Sequence, residues 1–331
     1  MTVTTHTSDE DVALRRTVAD IAERCRSTRA VEGDDHSACW SALVRSGLTE
    51  LRSPDEDGEP VASADQVAIV VEEMARVVCG APLVGTLLAT ELLRLAGVAE
   101  GTIDDTALTV VLAADLQSLG GTEGGVCWDA APPVERAIGV QDGALIVRDV
   151  QSVAPGQDLS RPVGTPGPGH DTVAAIDGSV LVAFESFAHV VLAADLLGAS
   201  AAVLQSAIDY AGQRVQFGQP IGQFQAVQHL CARAHVEVEA QRSALLFAAW
   251  SLDAGLGDAA PPIVAKAYAG RAAIDVVEKA VQVFGGVAIT WEFPAHRHLR
   301  RVLLDAEVLG SPTSLAARLF DEVEGTSHGL Q

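Results

Sequence analysis

The stretch Arg214-Val215-Gln216-Phe217-Gly218-Gln219-Pro220-Ile221-Gly222-Gln223-Phe224-Gln225 decides how this chain is read. Gly218, Pro220 and Gly222 punctuate a turn between two long helical patterns, stopping one helix and re-aiming the next. Arg214 stands at the end of the first helix, directly before that turn. Its guanidinium is a planar fork of donors that matches phosphate oxygens better than a lysine would. The second helix opens at Gln223 or Phe224, where unpaired backbone N–H groups also favour an anion. Alone, the stretch reads equally as an ordinary helical hairpin carrying a surface arginine.

A second stretch, Gln282-Val283-Phe284-Gly285-Gly286 and on to Pro294, ends a strongly patterned helix in a double glycine. Glycine admits positive φ at a helix end and lets a ligand approach the backbone closely. A Gly-Gly stop is common, so it gains meaning only from its companion. Two helix ends of this chemistry, ~70 residues apart in one helical region, are more specific.

Tyr210…Arg214-x-Gln216-Phe217-Gly218-x-Pro220-Ile221-Gly222-x-Phe224-Gln225-Ala226-Val227-Gln228, followed by Gln282-Val-Phe-Gly-Gly286, resembles the C-terminal domain of the acyl-CoA dehydrogenase family. The match runs over roughly residues 190–305, and the N-terminal third is similar more loosely. The resemblance implies an α-domain, a small β-domain and a second α-domain, with FAD as cofactor and an acyl-CoA thioester as substrate. In that family the arginine of the first motif and the glutamine and glycines of the second reach across a subunit interface. They hold the pyrophosphate and adenine end of a flavin seated mainly in the neighbouring chain. The cofactor-binding residues implied are Arg214, Gln216, Phe217, Gln225, Gln282, Phe284, Gly285 and Gly286.

The bulk of the chain is compatible with this. Its 331 residues allow two or three packing units. The apolar region Val180 to Ala207 is interrupted by Glu185, His189 and Asp195, so it reads as a buried helix or strand–helix unit rather than a membrane span. The start, Met1 to Glu10, carries no basic or apolar block of the kind that opens a signal peptide. The five cysteines, Cys25, Cys39, Cys79, Cys127 and Cys231, are scattered without metal spacing and read as reduced packing residues of a cytoplasmic protein. A net charge of −22 repels nucleic acid and anionic membrane, and an anionic ligand such as CoA or FAD then needs local arginines.

Outward from the motifs, the sequence predicts a mainly α protein with a small central β domain, an α–β–α architecture. Residues 1–105 read as helices, 106–187 as a reduced β domain, and 188–331 as helices again. Ser63 is placed to cap a helix from Gln66 to Val78, with Glu72 and Glu73 on its polar face. Short apolar runs at 109–112, 144–147, 172–176 and 180–184 are strand-like. Gly120-Gly-Thr-Glu-Gly-Gly125 superficially resembles a dinucleotide loop but opens no amphipathic helix, and a hairpin turn fits it better. Ile263, Ala267, Gly270, Ile274, Val277, Val281 and Phe284 form a heptad-like stripe, with a similar one at Val227, Leu230, Ala234, Val238 and Leu245. Such stripes serve core packing or a partner subunit.

The middle region departs from the family. The resemblance calls for a Thr-Glu-Pro-Gly-x-Gly-Ser-Asp-type turn and a Trp-x-Thr/Ser segment, whose backbone and hydroxyl groups bind the flavin ring system. Here Thr122-Glu123 continues into Gly124-Gly125-Val126, and Trp128 into Asp129-Ala130. The catalytic base departs too. Oxidation of a thioester between Cα and Cβ requires a base for the α-proton, best a carboxylate in an apolar pocket that raises its pKa. The family's commonest place for it, counted from Arg300-Arg301, falls on Leu309. The minority place falls near Ala188, with Glu185 one helical turn away as the sole substitute. Glu307 is offset by two residues and Glu292 lies in a segment that reads as structural. His296-x-His298, flanked by arginines, lacks a third metal ligand and reads as a basic loop or helix start. No Gly-x-Ser-x-Gly elbow occurs.

The expectation is therefore lopsided: groups that reach to a neighbour's flavin are kept, and no catalytic residue of the chain's own is assigned. The resemblance implies the short subunit of a heteromeric acyl-CoA dehydrogenase, of the kind known for steroid side-chain thioesters in actinobacteria. Its partners would be a longer dehydrogenase chain in a heterotetramer, an acyl-CoA and an electron-transferring flavoprotein. The alternatives are a self-sufficient dehydrogenase using Glu185 and a non-enzymatic scaffold of the same fold.

Overall fold

The computed structural model describes residues 8–26, 36–99, 101–103, 107–121, 124–168 and 171–328, with side chains up to residue 321. Four helices come first: α1 (Asp9–Cys25), α2 (Ser37–Arg45), α3 (Ala64–Arg76) and α4 (Leu83–Leu95). Each of α1 and α3 opens on a capping box. For α3, Ser63 Oγ accepts from Gln66 N at 3.1 Å while Gln66 Oε1 accepts from Ser63 N at 3.1 Å. The carboxylate of Asp253 adds a second cap from a distant helix, accepting from Ala64 N and Asp65 N.

Six strands come next: β1 (Leu108–Leu112), β2 (Val126–Trp128), β3 (Arg136–Gln141), β4 (Ala144–Ala154), β5 (Val163–Pro166) and β6 (Asp171–Ala175). Their order is β3-β1-β2-β5-β4-β6, and a further β3–β4 pairing closes the first five into a ring with β6 outside it. β1 runs parallel to β3, and the other pairings are antiparallel. Gly120 and Gly121 lie on this ring's rim. A Cβ on Gly120 would stand 2.7 Å from the Leu112 carbonyl oxygen, so glycine there allows two backbones to touch and opens no helix. Thr122 and Glu123 lie outside the described residues.

The rest is helical: α5 (Gly178–Gln213), α6 (Gln225–Asp253), α7 (Ala260–Phe284), α8 (Ala295–Glu307) and α9 (Pro312–His328). A two-residue ribbon, β7 (Val215–Gln216) with β8 (Gln219–Pro220), joins α5 to α6. The α7 stripe faces inward: Ile263, Gly270, Val277 and Phe284 are buried, and Ala267, Ile274 and Val281 are half-buried. Helix α5 has the length and hydropathy to cross a membrane, yet 72% of its most apolar window is buried against the rest of the protein.

Three expectations are corrected. Val180–Phe184 is not a strand but the start of α5, because Asp177 Oδ1 accepts from the Ser179 and Val180 N–H groups and caps a helix there. Glu72 and Glu73 do not face water; α1 and α6 close over them, and they pair with Arg15 and, for Glu72, with Arg242 at 2.7 Å. The cysteines are not all isolated thiols. Cys25 and Cys39 form a disulfide and Cys79 Sγ lies 3.4 Å from Cys39 Sγ, a convergence of three elements that linear spacing hides.

A buried charge cluster locks the layers together. Arg301 on α8 binds Asp158 at 2.6 Å, Asp195 on α5 at 3.2 Å and the Cys79 carbonyl at 2.8 Å. Arg161 binds Asp195 at 2.6 Å and Asp305 at 2.5 Å, and lies over the Trp128 ring. Burial alone would raise Asp195, but the two guanidiniums hold it well below the usual carboxylate range. Burial pushes Asp305 the other way, with Asp195 beside it reinforcing the rise against Arg161.

Candidate functional site

Helices α5 and α7 run side by side in the same direction, so their C-terminal ends emerge together. Tyr210 on the last turn of α5 meets Phe284, the last residue of α7, edge to face at 5.4 Å between centroids. Phe293 closes on the other side of Phe284 at 4.7 Å. The two sequence motifs are therefore one place. Phe284 itself is only 5% exposed and packs in the core, between the two helix ends.

Beyond each aromatic the chain turns outward to solvent. Arg214 takes an extended backbone, its N–H still bonded to Tyr210 O at 2.8 Å and its carbonyl accepting from Ile221 N at 2.8 Å. Among the described residues its guanidinium has no hydrogen bond or ion pair. The ribbon after it turns at Phe217 and Gly218, with φ of 51° and 82°, the left-handed pair that a two-residue hairpin demands. Phe217 is 94% exposed, a large aromatic held in a backbone conformation unusual for it, with Phe224 set edge to face against it as its one ring contact among the described residues. Gln216 spends its amide on the neighbouring Val215 carbonyl. Helix α6 opens at Gln225 with no side-chain cap, which leaves first-turn N–H groups for an outside acceptor.

On the α7 side, Gly285 has φ 68° and a Cβ there or on Gly286 would meet nothing within 4 Å. Gln282 is exposed one turn earlier. The chain then passes Val287, Ile289 (82% exposed) and Trp291 (48% exposed). With Val215 and Phe217 these put exposed apolar side chains beside both helix ends. Trp291 and Ile289 were not expected at the site. Their alternation with Val287 just past the end of α7 is the one trace of it in the sequence. The donor set of one unpaired guanidinium, one uncapped helix start and open glycine backbone fits a phosphate-bearing ligand.

The opposite end of the bundle is closed. Leu309, on which the sequence count places the family's base, is 3% exposed with φ 54°. Its N–H donates to Leu116 O at 2.8 Å and its carbonyl accepts from His189 Nε2 at 2.8 Å. Gln117 clasps the same corner, donating to Glu307 O at 3.0 Å and accepting from Ser311 N at 2.9 Å. Glu185 is ion-paired with Arg318 at 2.7 Å, and 29 helical residues put it roughly 40 Å from Arg214 along α5. Glu292 and Glu307 are exposed. His298 is buried with Nδ1 donating to the Ala199 carbonyl, and His296 stacks on Trp291 with Nε2 donating to its carbonyl, so each commits one ring nitrogen within the chain. A cavity of about 1490 Å³ lies between α1, α3, α5 and α6 and is lined by none of the expected site residues.

Residues 182–316 match the model of the acyl-CoA dehydrogenase C-terminal domain. Acyl-CoA dehydrogenase IpdE2 of Mycobacterium tuberculosis is 30% identical over 344 residues, covering 95% of this chain and 98% of the relative. The chain belongs to the acyl-CoA dehydrogenase family. Two solved structures share its fold nearly end to end. A Tcur3481–Tcur3483 steroid acyl-CoA dehydrogenase variant superposes with a TM-score of 0.83 at 23% identity, covering 96% of this chain and 99% of that one. The ChsE4–ChsE5 complex from Mycobacterium tuberculosis gives 0.81 at 20% identity, covering 96% and 98%. Set on this acyl-CoA dehydrogenase fold, Leu309 occupies a closed corner and Arg214 an open edge.

Proposed function

We propose that this chain is the short subunit of a heteromeric, FAD-dependent acyl-CoA dehydrogenase. It completes the cofactor site of a longer partner and does not carry out proton abstraction itself. One observation carries the reading: the corner where the base belongs is occupied by buried Leu309, whose N–H and carbonyl are both committed to the chain's own Leu116 and His189. A leucine moves no proton, and the buried carboxylate of Asp305, four residues earlier, is held by Arg161.

The residues present fit the family's cofactor at the other end. The Arg214 fork and the α6 start suit its pyrophosphate, and Gln282, Gly285 and Gly286 offer polar groups and open backbone beside it. FAD, when bound, supplies the two-electron acceptor for α,β-dehydrogenation of an acyl-CoA. This chain's part is to bind and orient its anionic half. The apolar side chains of Phe217, Ile289 and Trp291 around that edge call for a covering surface, and the partner chain supplies it. Electrons then pass to an electron-transferring flavoprotein. Two of the similar structures bear two-component names, which supports the heteromeric form of this reading.

Expression of this chain alone and together with a longer dehydrogenase chain tests it, with flavin absorbance and mass measured on each purified species. The expected result is a lone chain without flavin and a pair with about one FAD per short–long unit. A yellow homo-oligomer that turns over acyl-CoA by itself would overturn the proposal and return attention to Glu185.

A further inference from the structure

Three cysteines distant in sequence meet at one point of the N-terminal helical layer. Cys25 closes α1, Cys39 lies early in α2 and Cys79 comes just after α3. Cys25 and Cys39 are disulfide-bonded, Cys79 Sγ stands 3.4 Å from Cys39 Sγ, and all three sulfurs lie within 4.8 Å of one another. Cys39 and Cys79 are buried, while Cys25 is half-buried. A free thiol in van der Waals contact with one sulfur of a disulfide is the arrangement that exchange requires.

The geometry points to a thiol–disulfide exchange site in which Cys39 is the shared sulfur, bonded alternately to Cys25 or to Cys79. In the exchange, Cys79 gives up its proton and its sulfur attacks Cys39 Sγ. The Cys39–Cys79 bond forms as the Cys25–Cys39 bond breaks, and Cys25 leaves as a thiolate that takes up a proton. No electrons enter or leave the trio, so the step needs no oxidant. Burial pushes the Cys79 thiol up to about 11, against the pull of the Ala81 N–H, so the reactive thiolate is scarce at neutral pH and exchange is slow there.

The two bonds hold different things. Cys25–Cys39 ties α1 to α2. Cys39–Cys79 would tie α2 to the residue whose carbonyl receives Arg301 Nη2 at 2.8 Å, the centre of the buried charge cluster. Exchange thus moves the tether from the outer helix to the core and leaves α1 held by packing of Val18, Ile21 and Ala22 and by the pairing of Arg15 with Glu72 and Glu73. The freed Cys25, the least buried of the three, becomes the thiol at which a small disulfide such as oxidised glutathione reacts. This inference does not depend on the flavin reading.

Peptide mapping of the full-length chain under non-reducing conditions tests it. Cys25→Ser, incubated with oxidised glutathione as the oxidant, is expected to carry a Cys39–Cys79 bond in most molecules. Cys79→Ser is expected to keep Cys25–Cys39, and Cys39→Ser to form neither. In the wild type, iodoacetamide is expected to trap the exchanged form as label on Cys25 with Cys39 linked to Cys79. Its rate of trapping should rise about 100-fold from pH 7 to pH 9, as the Cys79 thiolate becomes more abundant. The proposal is overturned if Cys39 and Cys79 of Cys25→Ser both remain open to alkylation after the oxidant. Should that variant not fold, wild-type chain that never acquires label on Cys25 overturns it equally.

Discussion

The two ends of α5 lie at opposite ends of the bundle and have been finished in opposite ways. Around its N-terminal half, polar groups are spent inside the chain: His189 on Leu309, Asp195 on two arginines, Glu185 on Arg318. At its C-terminus, Arg214 is left without a partner among the described residues, Phe217 is 94% exposed and the facing glycines are open. Buried polar groups are ordinarily satisfied and large exposed aromatics ordinarily covered. The closed end meets this within one chain apart from His189 Nδ1 and Asp305 Oδ2, and the open end meets it only if something else is added. That contrast separates a residue kept for folding from one kept for another molecule.

The contrast breaks most severely at the charge cluster. Arg301→Ala is expected to destabilise the chain by about 3–5 kcal/mol, because Asp158 remains buried without its cation and Asp195 keeps only Arg161. Denaturant unfolding measures it. A loss under about 1 kcal/mol would mean that the cluster is hydrated and does not bind the layers together.

The closed corner also carries a pH signature. Burial pushes His189 down to about 4 from its ordinary 6.5, with Lys266 and Arg318 adding to the fall against the bond to Leu309. Between pH 6.5 and 4 the unfolded chain takes up this proton and the folded chain does not. The stability it accompanies is full above pH 6.5 and is lost as pH falls toward 4. His189→Gln keeps a donor toward Leu309 and removes the titration. The difference in unfolding free energy between wild type and variant should fall by about 3 kcal/mol from pH 7 to pH 4. His298, present in both proteins, cancels in that difference. A flat difference curve would place His189 in contact with water.

At the open end, Arg214→Ala should leave folding alone and weaken FAD in the assembled short–long pair by about 1.5–3 kcal/mol, the worth of a charge-assisted phosphate contact. Flavin retained after gel filtration reads this directly. Unchanged flavin content together with unchanged assembly would leave the exposed edge as a packing surface only.

Much of this was legible in the sequence, unevenly. The motif residues located the open end because turn glycines, a helix-end arginine and a double glycine each act through local backbone chemistry. Ser63 announced its helix for the same reason. What the sequence hid depends on distant partners. Phe284 sits among exposed motif residues, yet Tyr210 and Phe293 bury it. Glu72 and Glu73 look like a solvated face until Arg15 and Arg242 arrive from other helices. Val180–Phe184 has a strand's composition, and the single carboxylate of Asp177 tips it into a helix. The cysteine trio draws on three elements whose meeting no spacing rule encodes.

The smallest effect gives the finest division between the two roles of a glycine. Gly285 has φ 68° and Gly286 no positive φ, and neither would bring a Cβ within 4 Å of the chain. Gly285→Ala therefore costs backbone strain, about 1 kcal/mol of folding stability. Gly286→Ala should change folding by less than about 0.5 kcal/mol, since nothing in the chain meets the added methyl. In the assembled pair the proposed cofactor role gives a different expectation: a methyl on Gly286 would meet the adenine end, and flavin retention should drop although the chain alone is as stable as before. If flavin retention also stays unchanged, the second glycine serves only to end α7, and the clamp reduces to Arg214 and the start of α6.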